Sequence, residues 1–140
     1  MHHFSVDTIE DLTPVAEELI QFSKRYPIIL LQGEMGTGKT TLSRVLVQQA
    51  GGSHPSSPTF SLVNPYETDL GTIYHFDLYR IEDPEELLDF GFEEYLDSGD
   101  ICLIEWPAIA SSLIDPPYIG VELKLGQGTS RSIEIHQVDA

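Results

Sequence analysis

Cationic side chains are scarce in this 140-residue chain. Seven Lys and Arg stand against 23 Asp and Glu, a formal net charge of −16. Such a surface repels polyphosphate backbones, which argues against non-specific nucleic-acid binding. The acidity serves either solubility or the approach of a basic protein partner. Cysteine is scarcer still. Cys102 stands alone, so no disulfide can form within the chain and no cysteine zinc cluster is possible. It lies in the apolar run Ile101-Cys102-Leu103-Ile104 and reads as a core residue. No apolar run approaches the roughly 20 residues a membrane-spanning helix needs. The N-terminus lacks the apolar region of a signal peptide, so no membrane association and a cytoplasmic location are expected. His2 and His3 are too few to count as metal ligands.

What remains is an ordinary globular composition, 41% hydrophobic and 21% charged. The length predicts a single domain over residues 1–140 with a real core. Its centre is Ile28 to Ala50, IILLQGEMGTGKTTLSRVLVQQA. Ile28-Ile29-Leu30-Leu31 suits a buried strand. Gly33, Glu34, Met35, Gly36, Thr37, Gly38, Lys39 and Thr40 follow with the spacing G-x-x-x-x-G-K-T. Thr41 leads into a helix with Leu42, Val45 and Leu46 on one face, closed at Gly51-Gly52. Glycines let backbone N–H groups turn tightly and approach phosphate oxygens. The helix starting near Lys39 aims its positive dipole end at the same place. Lys39 can reach β/γ-phosphates and the Thr40 hydroxyl can ligate Mg²⁺. The alternative, a glycine-rich strand-to-helix turn that holds nothing, fits this context poorly.

The flanking pattern predicts a short strand at Phe4–Val6 and a helix over Thr8–Lys24, capped by Asp7 or Thr8, with Leu12, Val15, Ala16, Leu19 and Ile20 inward. Ser53–Ser57 reads as a polar loop. Ser57–Val63 turns strand-like after Pro58, and Asn64 to Gly71 reads as a turn region. Thr72–Asp77 is a strand ending in a carboxylate. Asp83 caps a helix with Pro84 in its first position, ending before Gly91. Phe92–Leu96 is a second acidic helical turn. Ile101–Trp106 is a strand whose terminal Glu105 has the Walker-B look, which would set it beside Mg²⁺. A short helix to Leu113 follows Pro107. Tyr118–Leu125 and Ser132–Val138 alternate as an antiparallel hairpin.

Several residues carry two readings. Thr59 is a switch threonine that senses Mg²⁺ or γ-phosphate, or a residue that starts a strand. Asp77 and Glu105 compete as strand-end acids: Glu105 has the drier strand, and Asp77 can position an attacking water. Trp106 is a pocket wall or plain core. His75 reads as a core or surface histidine, with a role beside the acids as the lesser reading. Arg80 and Arg131 can each supply positive charge to a γ-phosphate, although Arg80 can also pair with Glu82 or Asp83.

GEMGTGKTTL, SPTFSLVNPYE, HFDLYRIEDPEEL and ICLIEWP occur in an order and spacing that resembles the TsaE (formerly YjeE) family, strongly from about Gln32 to Pro107. The resemblance implies an α/β P-loop NTPase fold: a mixed sheet with a parallel core, antiparallel edge strands and helices on both faces. It implies an ATPase needed to form N6-threonylcarbamoyladenosine at position 37 of tRNAs reading ANN codons. Such a protein acts on a TsaD–TsaB complex and meets tRNA only indirectly. With ATP and Mg²⁺ as cofactors, Lys39 would hold phosphates, and Thr40 and Glu105 the metal. Asp77 would be the acid near the water, Thr59 the switch, Trp106 the aromatic beside the site, and Arg131 a nucleotide contact.

Three rivals remain. A GTPase would want an N-K-x-D motif, which is missing. A small-molecule kinase would want an arginine-rich lid, which Arg25, Arg44, Arg80 and Arg131 can hardly build. A nucleotide-gated binding module would use ATP to order a docking surface, with hydrolysis incidental.

Overall fold

The computed structural model describes residues 2–52 and 62–140. In chain order these form β1 (His2–Val6), a 3-10 turn (Ile9–Asp11), α1 (Leu12–Ser23), β2 (Ile28–Gln32), α2 (Lys39–Gln49), β3 (Val63–Thr68) and β4 (Gly71–Asp77). Then come α3 (Pro84–Phe90), α4 (Phe92–Leu96), β5 (Ile101–Glu105), a second 3-10 turn (Pro107–Ala110), β6 (Tyr118–Leu125) and β7 (Arg131–Val138). The strands make one seven-stranded sheet in the order β1-β7-β6-β2-β5-β4-β3. β6, β2, β5 and β4 are mutually parallel, and the pairs β1/β7, β7/β6 and β4/β3 are antiparallel. This is the α/β P-loop NTPase fold, with a parallel core and antiparallel edges.

Alternation along the strands sorts the core into two layers. Ile29 and Leu31 of β2, Ile101 and Leu103 of β5 and Ile73 of β4 pack with Leu12, Val15, Ala16 and Leu19 of α1 and Leu42, Val45 and Leu46 of α2. Leu30, Cys102, Ile104 and Phe76 point the other way, toward Leu87 of α3, Phe92 of α4 and Ala110. There Phe76 meets Phe90, Phe92 and Tyr95 edge-on at centroid distances of 6.3, 5.2 and 5.4 Å, the arrangement that ring quadrupoles favour. One face of the sheet therefore carries the helix that follows the glycine loop, and the other an aromatic layer that supports the strands from behind.

Three local expectations are corrected. Asn64–Tyr66 is no turn region but part of β3, paired with β4 from Val63↔Phe76 to Thr68↔Gly71. The turn shrinks to Asp69-Leu70 and Gly71, where φ is +95°. Pro65 is tolerated because β3 is an edge strand. The helix expected over Thr8–Lys24 opens with a 3-10 turn, where the Asp11 carboxylate accepts from the backbone N–H of Asp7 and Thr8 at 2.9 and 3.1 Å. The helix after Pro107 stops at Ala110 as a 3-10 turn. Thr59 and the Ser53–Ser57 loop lie outside the described residues.

Cys102 is fully buried in β5. Burial, and then the charge of Asp100, push its thiol up to about 12 from the usual 9.0. The native thiol is then expected to resist Ellman's reagent at pH 8 and to react fully in guanidinium. The unfolded chain gives up this proton first, so stability contributed by Cys102 is present below pH 9 and is lost as pH rises toward 12. A Cys102→Ala chain should show a shallower fall in unfolding midpoint over that window. Rapid native labelling at pH 8 would contradict the burial.

Candidate functional site

The C-terminal ends of β2, β4 and β5 lie side by side, the edge where open parallel sheets bind ligands. Register places Glu105 between Leu31, the penultimate residue of the glycine-loop strand, and Asp77. Strand parity does the rest. Glu105, Asp77 and His75 all project to the face that α2 covers, because Phe76 and Ile104 between them serve the opposite layer.

The glycine loop runs from Gly33 to the start of α2. A Cβ on Gly33 would stand 2.6 Å from both the Leu123 carbonyl oxygen and Thr37 Oγ1, so the loop is pressed against β6. Gly36 and Gly38 have φ of +84° and +100°, and nothing lies within 4 Å of where their Cβ atoms would be. They leave open space and satisfy a left-handed turn. Thr37 is buried and bonds the Glu34 carbonyl through Oγ1 at 2.8 Å. Met35 is 63% exposed at the rim.

The N-terminus of α2 has no side-chain cap and no acid in its first turn. The contrast with α3 is direct. There the Asp83 carboxylate accepts from Glu85 N at 3.0 Å, and the Glu86 carboxylate accepts from the backbone N–H groups of Glu82 and Asp83 at 2.9 and 3.0 Å. In so acidic a chain, an acid-free helix start leaves N–H groups and dipole available to an anion.

Around this helix end the polar side chains converge. Thr40 Oγ1 lies 3.1 and 3.0 Å from the two carboxylate oxygens of Glu105. One of those oxygens, Oε2, also meets His75 Nε2. Glu105 is only 3% exposed. Lys39 is also buried, donates to the Gly33 carbonyl, and sets Nζ 3.3 Å from the centroid of the Trp106 ring. Burial pushes the Lys39 ammonium below its ordinary pKa, while the charges of Glu105 and Asp77 act to raise it. Trp106 has φ of +57°, the only non-glycine residue with positive φ among the described residues. A bulky side chain in that region stores strain. Tyr79 packs its ring 5.1 Å from that of Trp106.

These groups line a cavity of about 740 Å³ that includes Met35, Gly36, Gly38, Lys39, Thr40, Thr41, Asp77, Glu105 and Trp106. Lys39, Arg44 and Arg80 face it, three of the seven cations in the chain. Arg131, at the start of β7, donates through Nη2 to the Gly36 carbonyl at 3.3 Å and so reaches the glycine loop. Asp77 lines the cavity too, with Oδ1 accepting from Tyr79 N at 3.1 Å. Thr59 lies outside the described residues. The sequence assigns no role to Asn64 and Tyr66, which line the cavity from β3, because Asn64 and Pro65 there resemble a turn. The His75 contact had one signal, its two-residue spacing from Asp77.

Among the described residues no three His, Cys, Asp or Glu side chains cluster as a metal site. The donors present are a hydroxyl and a carboxylate. They fit Mg²⁺, which takes one or two protein oxygens and fills its remaining positions with phosphate oxygens and water.

The comparisons with known proteins agree with this fold. The family model described as "Threonylcarbamoyl adenosine biosynthesis protein TsaE" matches residues 6–133. The tRNA threonylcarbamoyladenosine biosynthesis protein TsaE of Rickettsia prowazekii is 41% identical over 124 residues, 87% of this chain and 85% of the relative. The protein of the same description from Aquifex aeolicus is 40% identical over 104 residues, 72% of this chain and 73% of the relative. Among solved structures, the crystal structure of Bacillus subtilis YdiB superposes with a TM-score of 0.79 at 21% identity, covering 99% of this chain and 86% of that one.

The loop geometry sets two distinct costs. Gly33→Ala must displace the Leu123 backbone, and Gly38→Ala must hold a strained φ with no clash. Each is expected to lower unfolding free energy by roughly 1–3 kcal/mol. Urea titration followed by the fluorescence of Trp106, the one tryptophan in the chain, measures both. A Gly33→Ala chain as stable as the parent would contradict the close approach to β6.

Proposed function

This chain belongs to the TsaE family, and from that premise we propose that it is a Mg²⁺-dependent ATPase required for N6-threonylcarbamoyladenosine formation in tRNAs reading ANN codons. It acts in the cytoplasm as a single P-loop domain on the TsaD–TsaB complex, which presents the tRNA. The observation that carries the ATPase reading is the convergence of Lys39, Thr40, Glu105 and Asp77 on the acid-free N-terminus of α2 in one cavity.

Each residue has a task in this reading. Backbone N–H groups between Gly33 and Thr41 cradle the phosphates. Lys39 exchanges the Gly33 carbonyl for phosphate oxygens, a stronger charge-assisted bond. Thr40 and Glu105 would hold Mg²⁺, whose charge offsets that of the phosphate oxygens. Asp77 orients the attacking water or takes its proton. Arg131 closes on the nucleotide from β7, Trp106 forms a wall beside Lys39, and Thr59 is the switch threonine. The absence of N-K-x-D supports adenine over guanine.

The surface supports the indirect approach to tRNA. Outside the cavity and its rim, few cations offset the 23 acids, so a phosphodiester backbone is repelled. Met35 and Tyr79, 63% and 57% exposed, are rim positions that a protein partner would cover. Their exposure also favours the second reading, a nucleotide-gated module whose docking matters more than its turnover.

Lys39→Ala is expected to cut ATP hydrolysis by about 100-fold or more with the fold intact. Asp77→Asn should slow hydrolysis by a similar factor while ATP affinity changes little. Equal loss of affinity and rate in Asp77→Asn would move that residue from catalysis to structure. Capture of TsaD and TsaB on this chain, with and without ATP and Mg²⁺ and followed by assay of tRNA modification, tests the assembly. A Glu105→Ala chain that binds ATP and fully supports modification would favour the gated module over the obligatory ATPase.

A further inference from the structure

His75 is a buried titratable side chain to which the reading above gives no task. It stands on β4 two residues before Asp77, beside Leu103 of β5 in register. Its neighbours on that face away from the strand ends, Ile73, Ile101 and Leu103, are apolar and buried. A plain core position there would take another aliphatic side chain. Instead an imidazole that is 7% exposed aims Nε2 at Glu105 Oε2. A carboxylate oxygen accepts, so Nε2–H is the donor.

The consequence is geometric. The terminal torsion of a glutamate is broad and two-fold, so a lone strand-end carboxylate has no fixed plane. Here Thr40 Oγ1 sits astride both oxygens at 3.1 and 3.0 Å, which fixes little of the rotation by itself. His75 holds one oxygen from the neighbouring strand. With both in place, the Glu105 carboxylate is oriented between β4 and the start of α2. We infer that His75 is a positioning residue that pins one Glu105 oxygen and so sets the orientation of that carboxylate toward a divalent cation at Thr40. This rests on the assignment of Glu105 to the cation. It adds a side chain acting on the metal only through another residue, a kind of support whose loss commonly costs 10–100-fold in metal affinity.

Calorimetric titration of ATP into the full chain, once with MgCl₂ and once with EDTA, isolates the metal-linked part of affinity. His75→Asn stops its amide near the depth of Nδ1, and His75→Ala has no donor at all. His75→Gln carries an amide N–H to about the reach of Nε2. The Asn and Ala chains are expected to lose about 10-fold or more of the tightening that Mg²⁺ gives. Their affinity in EDTA should stay within about twofold of the parent, and Gln should recover most of the loss. An Asn or Ala chain with the full Mg²⁺ effect, or with an equal loss in EDTA, would overturn the role of His75. So would a folded Gln chain that recovers nothing. A parent chain with no Mg²⁺ effect would remove the Glu105 assignment itself. A parent with a normal effect, matched by the Asn and Ala chains, would remove only the role of His75.

Discussion

A carboxylate taken out of water between two strands and a helix end is the constraint the rest of the site answers to. Glu105 is 3% exposed, and an isolated charge at that depth would cost several kcal/mol. The cost is met by three groups from two elements. The Thr40 hydroxyl and the field of the Lys39 ammonium come from the first turn of α2, and His75 Nε2 comes from β4. That set is available only if β5 lies between β2 and β4, all three parallel and in this register. A slip of one residue would turn Glu105 into the aromatic layer of Phe76 and Phe92. Sheet order, register and site are therefore one requirement expressed at three scales.

Charge is distributed by the same logic. The chain spends acids freely on its surface, yet it keeps them out of the first turn of α2 and caps α3 with two of them. Four of its seven cations gather near the start of α2, where they outnumber Asp77 and Glu105: Lys39, Arg44 and Arg80 around the cavity, and Arg131 over the Gly36 carbonyl. The result is a local reversal of sign inside a strongly negative body. A small polyanion that fits the cavity finds donors there, and an extended one meets repulsion everywhere else.

Much of this was legible along the chain because the signals were local. The glycine spacing, the apolar run before it and the acid closing Ile101–Ile104 each lie within a few residues, and they gave the strand, the loop and the position of Glu105. Asp83 and Pro84 announced α3 in the same way. What stayed hidden needs partners distant in sequence. His75 looked like a core or surface histidine, because the carboxylate it bonds is 30 residues away. Arg131 reaches Gly36 only because β7 folds back over β6, a separation of 95 residues. Asn64–Thr68 resembles a turn through Asn64 and Pro65, and its pairing with β4 at the sheet edge makes it a strand. The positive φ of Trp106 has no sequence signature at all, since Pro107 after it disfavours helical backbone without specifying this one.

The loop is also satisfied by its own bonds. Among the described residues no buried side-chain nitrogen or oxygen lacks a hydrogen-bond partner. Lys39 has the Gly33 carbonyl and the Trp106 face, Thr37 has the Glu34 carbonyl, and Glu105 has Thr40 and His75. A loop with two left-handed glycines, packed against a strained tryptophan at the end of β5, can hold its shape on those terms. The same fact limits what any anion gains by entering. Bonds to Lys39 replace a bond already made, so the net contribution is the difference between a charge-assisted and an ordinary hydrogen bond, about 1 kcal/mol or somewhat more. The N–H groups at the start of α2 are different, because no side chain caps them. The larger share of anion affinity therefore falls to the backbone of this helix end.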